Sequence, residues 1–276
     1  DMPRTVNWDD YPEWATLHDP DPESPARTES PPGPLFSILL PVYRTPGPFL
    51  DACLRSVLAQ HYSRWELCVV DDGSDTPTIT ECLHQFAADA RIRIKTLPSN
   101  VGIGRATNEA LAMAKGEFLV LLDHDDLLRP HCLSSFAEHL SRHPDRDALY
   151  SDEDKITAEG RRIVPFFKPA FSPEFLRGVM YIGHALCVRT SLARSLNGFD
   201  PAYDGVQDFE FLLLLSERTS RIGHIPSILY HWRQSATSSA LHGNVKGDMD
   251  ERQCAAVQAH LRRIGDTRQA SALGGH

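Results

Sequence analysis

The 276-residue chain has no C-x-x-C pair, no run of about 18 apolar residues, and fewer basic than acidic side chains, 28 against 37. Each absence removes a class of function. The formal charge of −9 works against nonspecific binding to a polyanion, so nucleic acid is not an expected partner. Cys53, Cys68, Cys82, Cys132, Cys187 and Cys254 are scattered, most of them inside apolar runs. That is the pattern of reduced core thiols, with neither a disulfide framework nor a zinc site. Without a long apolar run no helix spans a bilayer, and "DMPRTVNWDD" lacks the charged and apolar regions of a signal peptide. The expectation is a cytoplasmic protein whose membrane contact, if it has one, is peripheral and at the inner face. What remains, 41% apolar and 24% charged, is an ordinary globular composition for one large core or two modest ones.

Residues 1–34 are dense in proline and end in "SPPGP", which describes an arm or linker. Within it "YPEWATLHD" sets Tyr11, Trp14 and Leu17 at helical spacing, a short helix to dock on the main body. From Leu35 a regular alternation begins. "LFSILLPVY", "WELCVVDD", "RIRIKTL" and "EFLVLLD" are expected strands, and the segments between them are expected helices. The first is apolar on one face through Leu50, Leu54, Val57 and Leu58; the second is capped by Asp75 or Thr76, and the third is stopped by Gly116. A β-α-β-α-β-α-β order implies an α/β fold with a mostly parallel sheet and helices on both faces. Beyond Asp126 the expected pattern is mixed. "DALYS" is a short strand, "DEDKITAEGRRIV" a hairpin around Glu159-Gly160, and strand, helix, strand and a C-terminal helix follow. The expected domain runs over 35–265, with a cofactor-binding half at 35–126, an acceptor-shaping half at 127–265 and a flexible tail at 266–276.

Sheets of this kind bind ligands beyond the carboxyl ends of their strands. That rule gathers Tyr43, the pair Asp71 and Asp72, and the cluster Asp123, Asp125 and Asp126 of "FLVLLDHDDLLRP" along one edge. An aromatic ring can cover a base, and a carboxylate can accept from a base N–H or a ribose hydroxyl. A D-x-D pair can grip Mg²⁺ or Mn²⁺ on a diphosphate. Taken singly, Asp71 and Asp72 are a capped turn, and "DHDD" an acidic cluster before a helix. Together they imply a nucleoside diphosphate. Asp208 stands in the first turn of an apolar helix after Gly205, placed either to take a proton or merely to cap. His231 and Arg233 in "YHWR" end a strand. They are candidates for a third metal ligand and a diphosphate partner, against a plain structural role.

"SILLPVYRTP", "WELCVVDDGSD", "NVGIGRATNEAL", "GEFLVLLDHDDLLRP" and "GVQDFEF", in this order between Leu35 and Arg233, resemble the motifs of family-2 glycosyltransferases with the GT-A fold. "YSDEDKI", "FFKPAFSPEFL" and "HIPSILYHWR" resemble a bacterial branch that builds surface polysaccharides such as O antigens and rhamnose-rich glycans. The resemblance implies inverting transfer from a UDP- or dTDP-sugar to a glycan or lipid-linked glycan. It also implies Mn²⁺ or Mg²⁺, and fusion to or complexes with further glycosyltransferase modules. It sets Pro41, Tyr43 and Asp72 at the nucleoside, Asp123 and Asp125 at the metal, and Asp208 as the base. Asn100 and Arg105, in the glycine-rich helix start, belong to the donor side. Gln207 stands where an acidic residue is usual, and with Lys155, Lys168 and His184 it is an acceptor-side candidate.

Other classes fit less well. A sugar nucleotidyltransferase needs a glycine-rich phosphate loop after the first strand, and "PVYRTPGPFL" has only Gly47 among prolines that lack amide donors. An aspartyl phosphatase wants its D-x-D on the first strand. A calcium loop fails at Leu128, where glycine is required, and at Ser134, where a bidentate Glu belongs. A non-catalytic sugar-binding domain on the same fold would be expected to lack Asp208 or the D-x-D.

Overall fold

A computed structural model describes residues 8–21, 33–234 and 243–272, without the side chains of 243–248. Residues 1–7, 22–32 and 273–276, which hold most of the expected arm and the end of the expected tail, lie outside the described residues. The first described helix, α1 (Tyr11–His18), is the short docked one. It buries Tyr11 and Ala15 against Ile228, while Trp14 and Leu17 are exposed. The buried face differs from the expected one because the Tyr11 hydroxyl is drawn inward, donating to Asp154 at 2.7 Å.

Strands β1 (Phe36–Val42), β2 (Trp65–Asp71), β3 (Ile92–Thr96) and β4 (Phe118–Leu121) lie side by side in the order β3-β2-β1-β4, all parallel. Parallel neighbours need crossovers, and these carry α2 (Gly47–Leu58), α3 (Pro77–Phe86) and α4 (Ile103–Met113). Side chains alternate across each strand. Phe36, Ile38, Leu40 and Val42 enter one core with α2, α3 and the later α5 (Cys132–Arg142), whereas Leu39 enters a second core with α4. Burial on both faces is why these strands are nearly continuous apolar runs.

The second half is mixed, as expected. β5 (Leu127–Leu128), β6 (Ala148–Ile156), β7 (Arg162–Phe166), β8 (Leu186–Arg189) and β9 (Ile222–Arg233) extend the sheet in the order β4-β8-β6-β9-β5, with β7 paired to β6. β8 is antiparallel to both β4 and β6, β9 is parallel to β6, and β5 is antiparallel to β9. Short helices α6 (Pro173–Gly178) and α7 (Thr190–Ser195), then α8 (Gln207–Arg218) and α9 (Gly243–Arg263), complete the chain.

Several expectations are corrected. "DALYS" and the first arm of the hairpin are one strand, β6, in which each of three successive acids finds a side-chain partner. Asp152 meets His224 at 2.7 Å, Glu153 meets Lys168 at 2.9 Å, and Asp154 meets Arg162 and His231. The helix α4 ends at Met113, before Gly116, whose service is close packing: a Cβ there would stand 2.5 Å from the Leu35 carbonyl. Thr76 occupies the N-cap of α3 but turns its hydroxyl to the Ser74 carbonyl at 3.3 Å. The segment after Gly265 folds back on α9, with the Ala270 amide donating to Gln258 at 3.0 Å.

Candidate functional site

The register sets Val42 opposite Asp71 and Leu39 opposite Leu121, so the carboxyl ends of β1, β2 and β4 share one edge. Alternation then aims Pro41 and Asp123 to the α4 side, with Leu39 and Leu121. There they line an inner pocket of about 40 Å³ together with His184, Gln207 and Asp208. Four of the residues predicted from the sequence as metal, acceptor-side or catalytic thus meet around one small cavity. Tyr43 stands just outside, 36% exposed, with the Arg44 guanidinium 5.2 Å from its ring centre.

The three aspartates of the cluster have different surroundings. Asp126 is fully buried; its carboxylate accepts from the Tyr230 hydroxyl at 2.7 Å and the Arg233 amide at 2.7 Å. Burial, then the charges of Asp123 and Asp125, push its carboxyl well above the usual range. Asp125 is raised by burial chiefly, with Asp123 adding. Asp123 goes the other way. Burial opposes its charge, but the His184 imidazole, 3.4 Å from its Oδ2, outweighs burial and holds its carboxyl low. In return Asp123 overcomes the burial of His184 and holds that imidazole up to about 9. His184 stacks on Tyr230 at 4.7 Å, and the Tyr230 hydroxyl accepts from the Asp123 amide at 3.1 Å. Asp208, at the second position of α8, is raised by burial. Its Oδ1 accepts from the Phe209 amide at 2.8 Å, and no side chain caps that helix. The Gln207 side chain turns back to accept from the Gly205 amide.

Asp72 is 2% exposed, and its carboxylate collects Asn100 Nδ2 at 2.9 Å, the Val101 amide at 2.8 Å and the Gly102 amide at 3.0 Å. It fastens the turn that starts α4, where Gly102 has φ +93°, and Asn100 is one of the groups it fastens. Arg105, in the first turn of α4, is exposed at the surface.

Other candidates are displaced. Arg233, expected at the diphosphate, is 3% exposed. It donates to the Asp125, Thr157 and Ala158 carbonyls and lies 4.6 Å from the Phe49 ring centre. It braces the acidic loop from behind. Lys168, expected on the acceptor side, is sealed in an ion pair with Glu153, and its ammonium also donates to the Ile182 and His184 carbonyls. Lys155 rests 4.7 Å over the Trp232 ring. His231, expected as a third metal ligand, has Nδ1 on Asp154. Tyr230 and Trp232 on either side of it pack in the apolar core, so alternation directs His231 to the opposite face. Among the described residues no group of three or more His, Cys, Asp or Glu side chains is gathered closely enough to cage an ion.

The sequence reading missed Tyr230, Glu153 and Asp154. The signal was "YSDEDKI", three successive acids in a strand, which demand buried cations. For a divalent ion the donor chemistry of Asp123 and Asp125 fits: two adjacent, partly exposed carboxylates, one of them raised by the other.

A parallel half whose strand ends present paired carboxylates, continued by a mixed half that lines the same pocket, is an α/β fold with a candidate ligand site at its carboxyl edge. The model of the family described as glycosyl transferase family 2 matches residues 37–185, and the chain belongs to that family. The chain is 37% identical over 275 residues to the O-antigen biosynthesis protein RfbC of Myxococcus xanthus, covering 98% of this chain and 21% of that protein. To the chondroitin synthase of Escherichia coli it is 32% identical over 206 residues, 72% of this chain and 29% of that one. It thus spans under a third of these curated relatives. Among solved structures, S. aureus TarS 1-349 in complex with UDP-GlcNAc aligns with TM-score 0.65 at 19% identity, over 82% of this chain and 72% of that one. The mannosyltransferase PcManGT of Pyrobaculum calidifontis, in complex with GDP-Man and Mn²⁺, aligns with TM-score 0.62 at 18% identity, over 87% and 67%. These two establish the GT-A fold. No helix among the described residues is long and apolar enough to cross a membrane.

Proposed function

We propose that the chain is a metal-dependent inverting glycosyltransferase domain that moves a sugar from a UDP- or dTDP-sugar to a hydroxyl of a growing bacterial surface glycan. The observation that carries this reading is the small pocket lined by both Asp123 and Asp208. At about 40 Å³ it admits a hydroxyl or a small part of a ring, so the nucleoside lies outside it, over Tyr43. Asp72 serves that end by holding the turn at 100–102, and Asp123 and Asp125 would hold Mn²⁺ or Mg²⁺. When bound, the ion supplies positive charge to the departing diphosphate.

Asp208 accepts the acceptor hydroxyl's proton. The freed oxygen forms its bond to the anomeric carbon as the carbon–oxygen bond to the diphosphate breaks, and the bonding pair leaves with the diphosphate. A pKa raised by burial suits a carboxylate for this work, because it holds the proton more readily than an exposed one. RfbC is named for O-antigen biosynthesis, which supports a polysaccharide acceptor. The small share of that protein spanned here supports a domain that works within a larger enzyme.

The experiment is a panel of nucleotide sugars with Mn²⁺, read as hydrolysis and as transfer, on the wild type and on Asp208→Asn. The variant keeps the shape and is expected to bind donor normally while turning over about 10²–10⁴-fold more slowly. Wild-type turnover in Asp208→Asn removes the base from the mechanism, and no reaction with any donor removes the reading.

A further inference from the structure

The segment that the sequence presents as a linker is fastened to the back of the acidic loop. Arg129, three residues after Asp126, is fully buried, and its guanidinium is held almost wholly by the N-terminal segment. Its Nη1 donates to Asp19 Oδ2 at 2.7 Å, its Nε to Asp21 Oδ1 at 2.8 Å and its Nη2 to the Asp19 carbonyl at 3.1 Å. One further bond, at 3.2 Å, goes to the Ile228 carbonyl of β9. The same Asp19 oxygen takes Arg162 Nη2 at 2.6 Å, and Arg162 Nη1 donates to the Asp19 carbonyl at 2.8 Å. Arg162 continues to Asp154, which also holds the Tyr11 hydroxyl and His231. One exposed-looking turn thus joins two arginines from different parts of the sheet, one beside β5 and one on β7.

β5 is only two residues long and pairs with β9 alone. Its edge position gives the "DHDD" loop little sheet of its own to rest on. Behind it the Arg129 amide bonds to the Leu229 carbonyl, and the Arg129 carbonyl accepts from Gln60. A buried guanidinium with no carboxylate must find water or leave, and leaving would pull β5 and the loop before it out of register.

We propose that residues Tyr11–Asp21 are an integral strap of the donor site, with Asp19 and Arg129 as positioning residues that set the loop carrying Asp123 and Asp125. This rests on the reading that the loop binds a nucleoside diphosphate with a divalent ion. The strap touches neither, and acts through Arg129. The same number of contacts at the far end of the sheet would stabilise the fold equally and leave the site alone. Asp147, which holds Arg221 at 2.7 Å and Thr219 at 2.6 Å at the opposite end of β6, supplies that control.

The experiment compares wild type, Asp19→Ala, the milder Asp21→Ala and the control Asp147→Ala in the full chain. Two readouts are used: calorimetric affinity for UDP and for dTDP in Mn²⁺, and amide hydrogen exchange over residues 123–131. Asp21 is the more exposed partner, so Asp21→Ala keeps the test alive if Asp19→Ala does not fold. In the strap variants affinity is expected to fall tenfold or more, graded Asp19 over Asp21, and the amides of Asp126 and Arg129 to exchange faster. Asp147→Ala is expected to melt lower with both readouts unchanged. Wild-type affinity and loop protection in the strap variants overturn the proposal, as does an equal loss in Asp147→Ala. A wild type that binds no nucleotide while loop protection falls as expected overturns the donor reading and leaves the mechanical coupling standing.

Discussion

Glu210 lies two residues beyond the proposed base in α8, and it gives the protein a pH dependence of its own. It is 3% exposed, its Oε2 has no hydrogen-bond partner, and Arg263 Nη1 stands at 3.8 Å from its Oε1. Burial is the main cause that raises its carboxyl from 4.5 to about 7, with Asp200 and Glu217 adding and Arg263 opposing. Between these values the folded protein keeps a proton that the unfolded chain releases, so stability falls as pH rises. The contribution is fully present below pH 4.5 and lost by the time pH passes 7. A shift of this size corresponds to about 3 kcal/mol at about 1.36 kcal/mol per pH unit. A cavity of about 500 Å³ opens beside the carboxyl and admits water, which brings the figure to about 2 kcal/mol. Glu210→Gln removes the charge and keeps the volume. Denaturation of both proteins at pH 5, 6, 7 and 8 should give similar stability at the low end. At pH 8 the variant should be more stable by about 2 kcal/mol, or about 4–8 °C in melting temperature. Parallel pH profiles for the two proteins would refute the reasoning, because the difference between them isolates this one group.

Two further substitutions separate the parts of the acidic loop. Asp125→Ala is expected to abolish Mn²⁺-dependent nucleotide binding in calorimetry with little change in melting temperature, since its side chain is partly exposed; undiminished affinity would exclude it as a ligand. Arg233→Met leaves three backbone carbonyls without their donor and is expected to cost about 3 kcal/mol in denaturant unfolding. A diphosphate role for Arg233 would instead show as lost affinity at an unchanged melting temperature.

The parallel half was legible because each strand carries its own signature, an apolar run ended by a polar tip. "SILLPVY", "ELCVVDD" and "EFLVLLD" lie in the structure as β1, β2 and β4, and their shared edge follows from parallel order alone. Asp123 and Asp208 meet in one pocket for a similar reason, since one ends a strand and the other starts a helix on the same side. The buried cations were not legible. Lys168 finds Glu153 at 15 positions' distance, Arg129 finds Asp19 at 110, and nothing in the local pattern of either residue differs from that of a solvated one. His231 was misread because the side of a strand depends on its register. A register shift in the pairing of β9 with β6 near Asp152 breaks the simple count from the apolar residues before it.

Three carboxylates within four positions would repel one another strongly if all were charged, and the structure resolves this by treating them unequally. Asp126 is fully buried, and its pKa is pushed well above the usual range, by burial first and then by its two neighbours. The Tyr230 hydroxyl donates to its Oδ2 at 2.7 Å while that same hydroxyl accepts from the Asp123 amide. The Arg233 amide takes the other oxygen. Asp126 is therefore a bracket between β9 and the loop, accepting from the Tyr230 hydroxyl on one oxygen and the Arg233 amide on the other. Asp123 is held ionised by His184, and Asp125 is left as the group whose charge costs most. Two carboxylates with one reluctant to ionise are a site that gains from a cation. A divalent ion of the kind proposed above would pull the Asp125 pKa down and relieve the repulsion among the carboxylates.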